Sequence, residues 1–145
     1  TGAHCFENND CCEVESLGSS DCYKAHTVQS SILIAKELGL KSSEWEIAYQ
    51  SRIGPGWLTP FTDKRLERLP NEGAKSIGIL CPSFISYCLE TLEEIDIRGR
   101  KTFMDAGGEK MIYIPCLNES NETVELLISI VEDAKKFEIK ALKTA

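Results

Sequence analysis

A short apolar run, KSIGILC at Lys75–Cys81, is the feature that most constrains what this chain can fold into. Strands of this composition are typical of parallel sheets that are buried on both faces. Two further strand-like runs, WEIAYQS and KMIYI, occupy Trp45–Ser51 and Lys110–Ile114, and a Gly-Pro-Gly turn ends the first of them. The chain is therefore predicted to contain a sheet of short, separated strands.

Helical periodicity separates these strand-like runs. From Asp21 onward, one helix face carries the apolar residues Ala25, Val28, Ile32 and Ala35. Gly39 follows where a C-terminal glycine cap belongs, and Pro70 must end a second helix over Thr62–Leu69. Asn121 is predicted to cap a last amphipathic helix.

This order of elements predicts an α/β fold with a parallel four-stranded sheet flanked by helices on both faces, its first strand truncated at Ala3. The 145 residues suit a single domain, 1–145, and residues 5–22 are predicted to form a cysteine-rich loop. Ligands of such sheets bind at the carboxyl ends of the strands. Four segments fall at these ends: His4, Gln50–Trp57, Pro82–Glu90 and Pro115–Asn118.

The acidic stretch Ser83–Ile97 directly follows the run KSIGILC and is predicted to form a helix that continues through Met104. Within it Glu90 and Glu94 are four residues apart and would share a face, which costs a few tenths of a kcal/mol on an exposed helix. Two interpretations are open: a face that handles a cation or a proton, and an ordinary solvated face. Glu93 and Asp96 are predicted to be solvated charges.

Two other side chains at the strand ends have chemical potential. His4 is one of two histidines, and a neutral imidazole can bind a metal or accept a proton near pH 7. The alternative is a histidine that is simply hydrogen-bonded near a strand end. Trp57 follows the Gly-Pro-Gly turn, where its indole either stacks on a flat ligand or closes the loop as a hydrophobic clamp.

The seven cysteines are unevenly placed, and four of them lie in the first 22 residues: Cys5, Cys11, Cys12 and Cys22. An odd count and ordinary α/β sequence elsewhere favour a reducing compartment over a disulfide scaffold. Four thiolates suit zinc or an iron–sulfur cluster, and the absence of CxxC pairs favours the cluster. Cys81, Cys88 and Cys116 are scattered and are predicted to be small buried hydrophobic residues.

Composition narrows the function further. Asp and Glu number 23 against 16 Lys and Arg, a formal charge of −7, and no basic run is interleaved with aromatics, so nucleic-acid binding is disfavoured. No apolar run approaches the roughly 18 residues of a membrane span, and no signal peptide is visible. We expect a cytoplasmic protein that is open to peripheral membrane contact. Because the first residue is Thr1 rather than Met, the chain is expected either to start inside a longer protein or to follow a cleaved tag.

Four stretches carry a specific resemblance: AYQSRIGPGWLTPFTD (Ala48–Asp63), CLETLEEIDI (Cys88–Ile97), AGGE (Ala106–Glu109) and IPCLN (Ile114–Asn118). In this order they resemble the carboxy-terminal half of ferrochelatases, and the likeness runs from about Ala3 to Asp133. Ferrochelatases insert ferrous iron into protoporphyrin in haem synthesis and hold the porphyrin between two similar α/β halves. The resemblance implies that this chain is one such half and that the amino-terminal half is its partner.

The resemblance also implies roles for single residues. His4, in Gly2-Ala3-His4, matches the catalytic histidine that binds iron or accepts pyrrole protons. Glu90 matches the catalytic glutamate, with ferrous iron as the substrate metal, and Glu94 matches the next carboxylate of a path for metal delivery or proton exit. Trp57 matches a tryptophan beside the porphyrin.

Three departures from the family pattern accompany these matches. Cys88 stands where a histidine commonly precedes the catalytic glutamate, and Arg98 stands at a position that is otherwise acidic. The segment after the histidine is altered and holds the four clustered cysteines. Some bacterial ferrochelatases carry a [2Fe–2S] cluster on such a segment, so the resemblance implies one on Cys5, Cys11, Cys12 and Cys22, with zinc as the alternative. A non-catalytic iron–sulfur or zinc-binding domain with a chelatase fold is the competing function.

Overall fold

Helices and two short strands follow one another along the described part of the chain. This computed structural model describes residues 22–143, with side chains as far as residue 136. The elements are α1 (Tyr23–Glu37), α2 (Thr62–Arg68), β1 (Ser76–Ile79), a π-helix π1 (Glu90–Gly99), α3 (Arg100–Asp105), β2 (Lys110–Tyr113) and α4 (Asn121–Lys143).

The strands β1 and β2 form a parallel pair in which Ser76 lies opposite Lys110 and Ile79 opposite Tyr113. The helical segment formed by π1 and α3 connects them, as a parallel pair requires. This arrangement confirms the predicted α/β class. Both strands lie within the runs that the sequence predicted, although each is shorter than its run.

The predicted four-stranded sheet is not confirmed, because the described residues form a sheet of two strands. The strand predicted at Trp45–Ser51 is wrong: this segment makes a single parallel bridge, between Tyr49 and Phe61. The backbone of Ser51 has a φ of 58°, a left-handed conformation that ends extended pairing. The strand that was expected to be truncated at Ala3 lies outside the described residues.

The described helices cover one face of the sheet, whereas helices on both faces were predicted. Side chains of β1 alternate, with Ile77 and Ile79 partly buried and Ser76 exposed. On β2, Met111 is buried while Ile112 is half exposed. The sheet therefore has an inner face toward π1 and α3 and an outer face that the rest of the described chain leaves open.

The core lies between the inner face of the sheet and the helices α2, π1 and α3. Its most deeply buried side chains are Leu66, Ile95 and Phe103, and Met111 joins them from β2. Phe103 is fully buried. Since a Cβ atom on Gly108 would lie 2.2 Å from the Phe103 ring, the glycine lets the chain pass close to this ring.

The end of α1 confirms the predicted glycine cap. Gly39 adopts a φ of 68°, its amide donates to the carbonyl of Lys36 at 3.0 Å, and the amide of Leu40 donates to Ala35 at 2.9 Å. This pair of bonds defines a Schellman motif. The second helix, α2, ends at Arg68, just before the proline that was predicted to stop it.

The cap of α4 is Ser120, whereas Asn121 was predicted to be the cap. The Ser120 hydroxyl accepts a hydrogen bond from the amide of Thr123 at 3.2 Å, three residues along the helix, and Asn121 is already helical. Either residue type is a favoured cap, so the sequence alone did not separate them. No helix among the described residues is both long enough and apolar enough to cross a membrane.

Replacing Ser120 by alanine should lower the free energy of unfolding by about 0.5–2 kcal/mol, because the amide of Thr123 loses its acceptor. Asn121→Ala is the matched control and should change stability by less than about 0.5 kcal/mol. Chemical denaturation of the two variants measures both effects. A larger loss for Asn121→Ala would show that the cap was assigned to the wrong residue.

Candidate active site

The acidic helix begins as a π-helix rather than an α-helix. Its backbone hydrogen bonds span five residues over Glu90–Gly99, and only then does the chain continue as α3. The ion pair between Glu93 and Arg98, five residues apart and 3.1 Å long, fits this wider helical repeat. π-Helical segments inside longer helices are frequent at functional sites, so the carboxylates of π1 are candidate functional groups.

Glu90 is the first residue of π1, and its side chain is exposed. The pKa of its carboxyl group is lowered by a hydrogen bond from its own backbone amide and next by one from the Cys88 thiol, while partial desolvation opposes both. The fully buried Thr91 fixes the backbone where π1 begins, since its hydroxyl accepts a hydrogen bond from the Cys88 amide at 3.0 Å. Glu90 is thus an accessible carboxylate that stays ionised to lower pH than usual.

Removing the Cys88 thiol should raise the pKa of Glu90, because the ionised carboxylate loses a donor while the neutral acid loses nothing comparable. In Cys88→Ala the carboxyl group should therefore take up its proton at a higher pH than in the wild type. Cys88→Ser keeps a hydroxyl donor and should stay close to the wild type. Titration of Glu90 by ¹³C-carboxyl NMR measures both variants, and equal pKa values in all three proteins would exclude the thiol as the cause.

Glu94 lies on the next turn of π1 and is half buried. The Ser51 amide donates to one of its carboxylate oxygens and the Ser51 hydroxyl to the other, each at 2.7 Å. Glu94 is therefore held from outside its own helix, by the loop that replaces the predicted strand.

Trp57 is connected to the same helix through Gln50. Its indole N–H donates to the Gln50 carbonyl at 2.9 Å, and the Gln50 side-chain amide donates to the backbone carbonyl of Glu90 at 2.8 Å. The indole remains 40% exposed. Both interpretations of Trp57 thus keep support: the N–H closes the loop, and the exposed ring has surface for a flat ligand.

A cavity of about 140 Å³ lies between α2, π1 and the Gln50–Arg52 segment. Glu94, Ser51, Asp63, Arg98 and Thr102 are among the residues that line it. Because these positions follow the second half of π1, the cavity extends from Glu94 away from Glu90.

The other two acids of the helix have structural partners. Glu93 is exposed and pairs with Arg98. Asp96 pairs with Arg100, whose guanidinium also donates to the backbone carbonyl of Met111. Glu93 therefore fits the predicted solvated charge, whereas Asp96 helps to tie π1 to the second strand.

Electrostatic coupling among the cysteines near the carboxyl ends of the strands was not predicted from the sequence. Cys81 and Cys116 are buried, as predicted, whereas Cys88, which was predicted to be buried as well, is only partly buried. Burial is the main cause that raises the pKa of the Cys81 thiol to about 12, with further contributions from Cys116, Cys88 and Glu94. The Tyr113 hydroxyl lies 3.3 Å from the Cys116 sulfur. The sequence signal that could have identified this coupling was the position of Cys81 and Cys116 shortly after two strands.

Three residues of the predicted iron–sulfur site, Cys5, Cys11 and Cys12, lie outside the described residues. His4 lies outside them as well. The fourth, Cys22, is described: it is buried just before α1, and its carbonyl accepts from the His26 amide at 3.0 Å. Within residues 22–143, no group of three or more His, Cys, Asp or Glu side chains is arranged to hold a metal ion.

The fold and these contacts define a class: an α/β domain whose π-helix presents carboxylates at the carboxyl edge of a parallel strand pair. Comparison with known proteins then gives the family. A family model described as ferrochelatase matches residues 14–135. The chain belongs to the ferrochelatase family.

Individual relatives agree with this assignment. The ferrochelatase of Pseudomonas fluorescens (strain Pf0-1) is 40% identical over 136 residues, which are 92% of this chain and 40% of that protein. The ferrochelatase of Stutzerimonas stutzeri (strain A1501) is 39% identical over 136 residues, with the same coverage of both chains. That of Opitutus terrae is 44% identical over 130 residues, 89% of this chain and 38% of that protein. The chain thus spans about two fifths of the length of these curated relatives.

Proposed function

We propose that this chain is the carboxy-terminal domain of a ferrochelatase, which inserts ferrous iron into protoporphyrin IX in haem biosynthesis. The observation that carries the proposal is the position of Glu90 in a chain of this family. Its carboxylate is accessible, has a lowered pKa, and starts a π-helix at the carboxyl edge of the strands. A porphyrin edge can reach such a carboxylate without displacing buried side chains.

The reaction requires two pyrrole N–H protons to leave and a doubly charged cation to enter the macrocycle. We assign Glu90 and His4 to these tasks, one on each face of the porphyrin, as proton acceptors and as ligands to the entering iron. Glu94 lies one turn beyond Glu90 on π1 and serves as a relay for the metal or the protons. A relay that continues past Glu94 is shortened here, because Arg98 lies at the next position along the helix and is paired with Glu93.

Trp57 is assigned to the porphyrin side of the site. Its ring has enough free surface to contact a macrocycle, and its N–H is already used by the Gln50 carbonyl. The interaction would therefore be stacking or edge contact rather than hydrogen bonding. The shared Gln50 places this ring and Glu90 on one hydrogen-bonded framework.

The partner that completes the site is the amino-terminal half of the same enzyme. One helix offers a surface for it: α4 carries a set of apolar residues that are each 44–55% exposed, namely Val124, Leu126, Leu127, Ile128, Ile130 and Val131. Exposed apolar area on this scale is typical of a surface that another part of a protein covers. The curated relatives have about three fifths of their length outside the matched region, enough for a second half of similar size.

The function is tested by an insertion assay on the complete enzyme that contains this chain. Anaerobic incubation with Fe²⁺ and protoporphyrin IX should quench porphyrin fluorescence and form haem, and coproporphyrin in a parallel reaction distinguishes the two substrates. A complete enzyme that forms its cluster but inserts no metal and binds no porphyrin would contradict the proposal and favour the non-catalytic domain.

We further propose a [2Fe–2S] cluster on Cys5, Cys11, Cys12 and Cys22, in a protein of the reducing cytoplasm. Support comes from the clustering of these cysteines within 22 residues and from the preference of thiolates for iron–sulfur clusters. Anaerobic purification should give a coloured protein with acid-labile sulfide, and Cys22→Ser should lower its cluster content. A colourless protein with stoichiometric zinc would replace the cluster with a zinc site.

A further inference from the structure

The dipeptide Gln50-Ser51 contacts two of the three glutamates of π1, Glu90 and Glu94, although it belongs to another part of the fold. Gln50 reaches the backbone of Glu90, and Ser51 reaches the carboxylate of Glu94. These contacts join residues that are 40 and 43 positions apart in the chain. Neither contact could be predicted from the sequence, because the segment that contains Gln50 and Ser51 has the pattern of a strand.

Ser51 makes its contact through an uncommon backbone conformation. A φ of 58° is unusual for a residue other than glycine, and the same turn contains Gly54 and Gly56, which also have positive φ values. In this conformation the amide and the hydroxyl of Ser51 both point at Glu94. The amide meets one carboxylate oxygen and the hydroxyl the other, each at 2.7 Å.

Two donors on two oxygens fix the plane of the Glu94 carboxylate. Each bond has a charged acceptor, and such bonds are shorter and stronger than neutral ones. A carboxylate has about four acceptor positions, of which Ser51 occupies two. The remaining positions are free for a cation or a proton in the adjoining cavity, which Glu94 and Ser51 both line.

The basic residues around the cavity have other partners. Arg98 pairs with Glu93 at 3.1 Å, and the Arg52 guanidinium lies over the Phe61 ring, 4.3 Å from its centroid. Both arginines line the same cavity as Glu94. The contact that orients Glu94 is thus the neutral Ser51, which leaves the negative charge of the carboxylate available.

We propose that Ser51 is a positioning residue, which holds the carboxylate of Glu94 in the orientation that the metal or proton relay requires. This inference rests on the proposed function of Glu94. It assigns to Ser51 an effect on turnover that depends on Glu94 and is separate from any contribution of Ser51 to folding.

The test uses Ser51→Ala, Glu94→Gln and the double variant in the complete enzyme, with kcat and the KM values for iron and porphyrin measured for each. Ser51→Ala should lower kcat by about tenfold, the effect of removing a hydrogen bond to a charged group, with little change in the KM for porphyrin. The double variant should be no slower than Glu94→Gln alone, because both changes disable the same group.

A second substitution separates positioning from folding. Ser51→Gly removes the hydroxyl but suits the positive φ, so its Tm should stay near that of the wild type while kcat falls as in Ser51→Ala. Ser43→Ala, in an exposed loop, is the matched control and should leave kcat unchanged.

Four outcomes would count against the inference. Full activity of Ser51→Ala, or losses that multiply in the double variant, would overturn it while the proposed function stands. A loss of kcat restricted to variants with a lowered Tm would assign Ser51 a structural role only. If the wild-type enzyme inserts no metal, the proposed function itself fails, and this inference fails with it.

Discussion

Replacing Glu90 by glutamine in the complete enzyme should lower kcat for iron insertion by about 10²–10⁴-fold, the usual contribution of a positioned proton acceptor. Glutamine keeps the size of the side chain and can still accept hydrogen bonds, but it cannot take up a pyrrole proton or offer a charge to Fe²⁺. Because Glu90 is exposed, its replacement should leave the fold intact. Stopped-flow or steady-state loss of porphyrin fluorescence measures the effect.

Glu93→Gln is the matched control for this experiment. Glu93 lies on the same helix and is exposed, but it is paired with Arg98 and is given no role in turnover. The kcat of Glu93→Gln should stay within about twofold of the wild type, since surface ion pairs contribute little to stability. Equal losses in both variants would point to a general effect of helix charge, and full activity of Glu90→Gln would remove Glu90 from the mechanism.

The choice of Glu90 shows what the sequence could predict. An apolar strand followed by an acidic helix placed its carboxylate at a strand end, and the structure has Glu90 there, directly after the loop that follows β1. The resemblance then separated this glutamate from its neighbours. The π-helix itself was not predictable, because apolar spacing was compatible with an ordinary α-helix and the choice depends on tertiary contacts.

The contacts that orient the site could not be predicted for a related reason. Ser51 acts through a left-handed backbone conformation, and the β-like run around it indicated a strand. Local propensity was overridden by the bonds to Glu94, which lies 43 residues away in the chain. The cysteines show a similar limit: Cys81 and Cys116 were correctly expected to be buried, but Cys88, expected to be buried as well, is only partly buried.

Replacing Phe103 by alanine should lower the free energy of unfolding by about 3–5 kcal/mol, the largest effect on stability that we expect for a single side chain here. Phe103 is fully buried between the sheet and the helices, where it packs with Leu66, Ile95 and Met111. Its removal leaves a cavity that the short strands can only partly close. Chemical denaturation should show a lower midpoint with an unchanged denaturant dependence.

The backbone at Gly108 passes close to the Phe103 ring. Because glycine has no side chain, this position cannot fill the cavity that Phe103→Ala leaves. A methyl group on Gly108 would collide with the Phe103 ring, so Gly108→Ala should also destabilise the wild-type core, by about 1–3 kcal/mol. In the Phe103→Ala background the same methyl group has room, and its cost should shrink or vanish. Met104→Ala, at the exposed neighbouring position, is the control and should cost less than about 1 kcal/mol. Additive losses for the two core changes would contradict this packing.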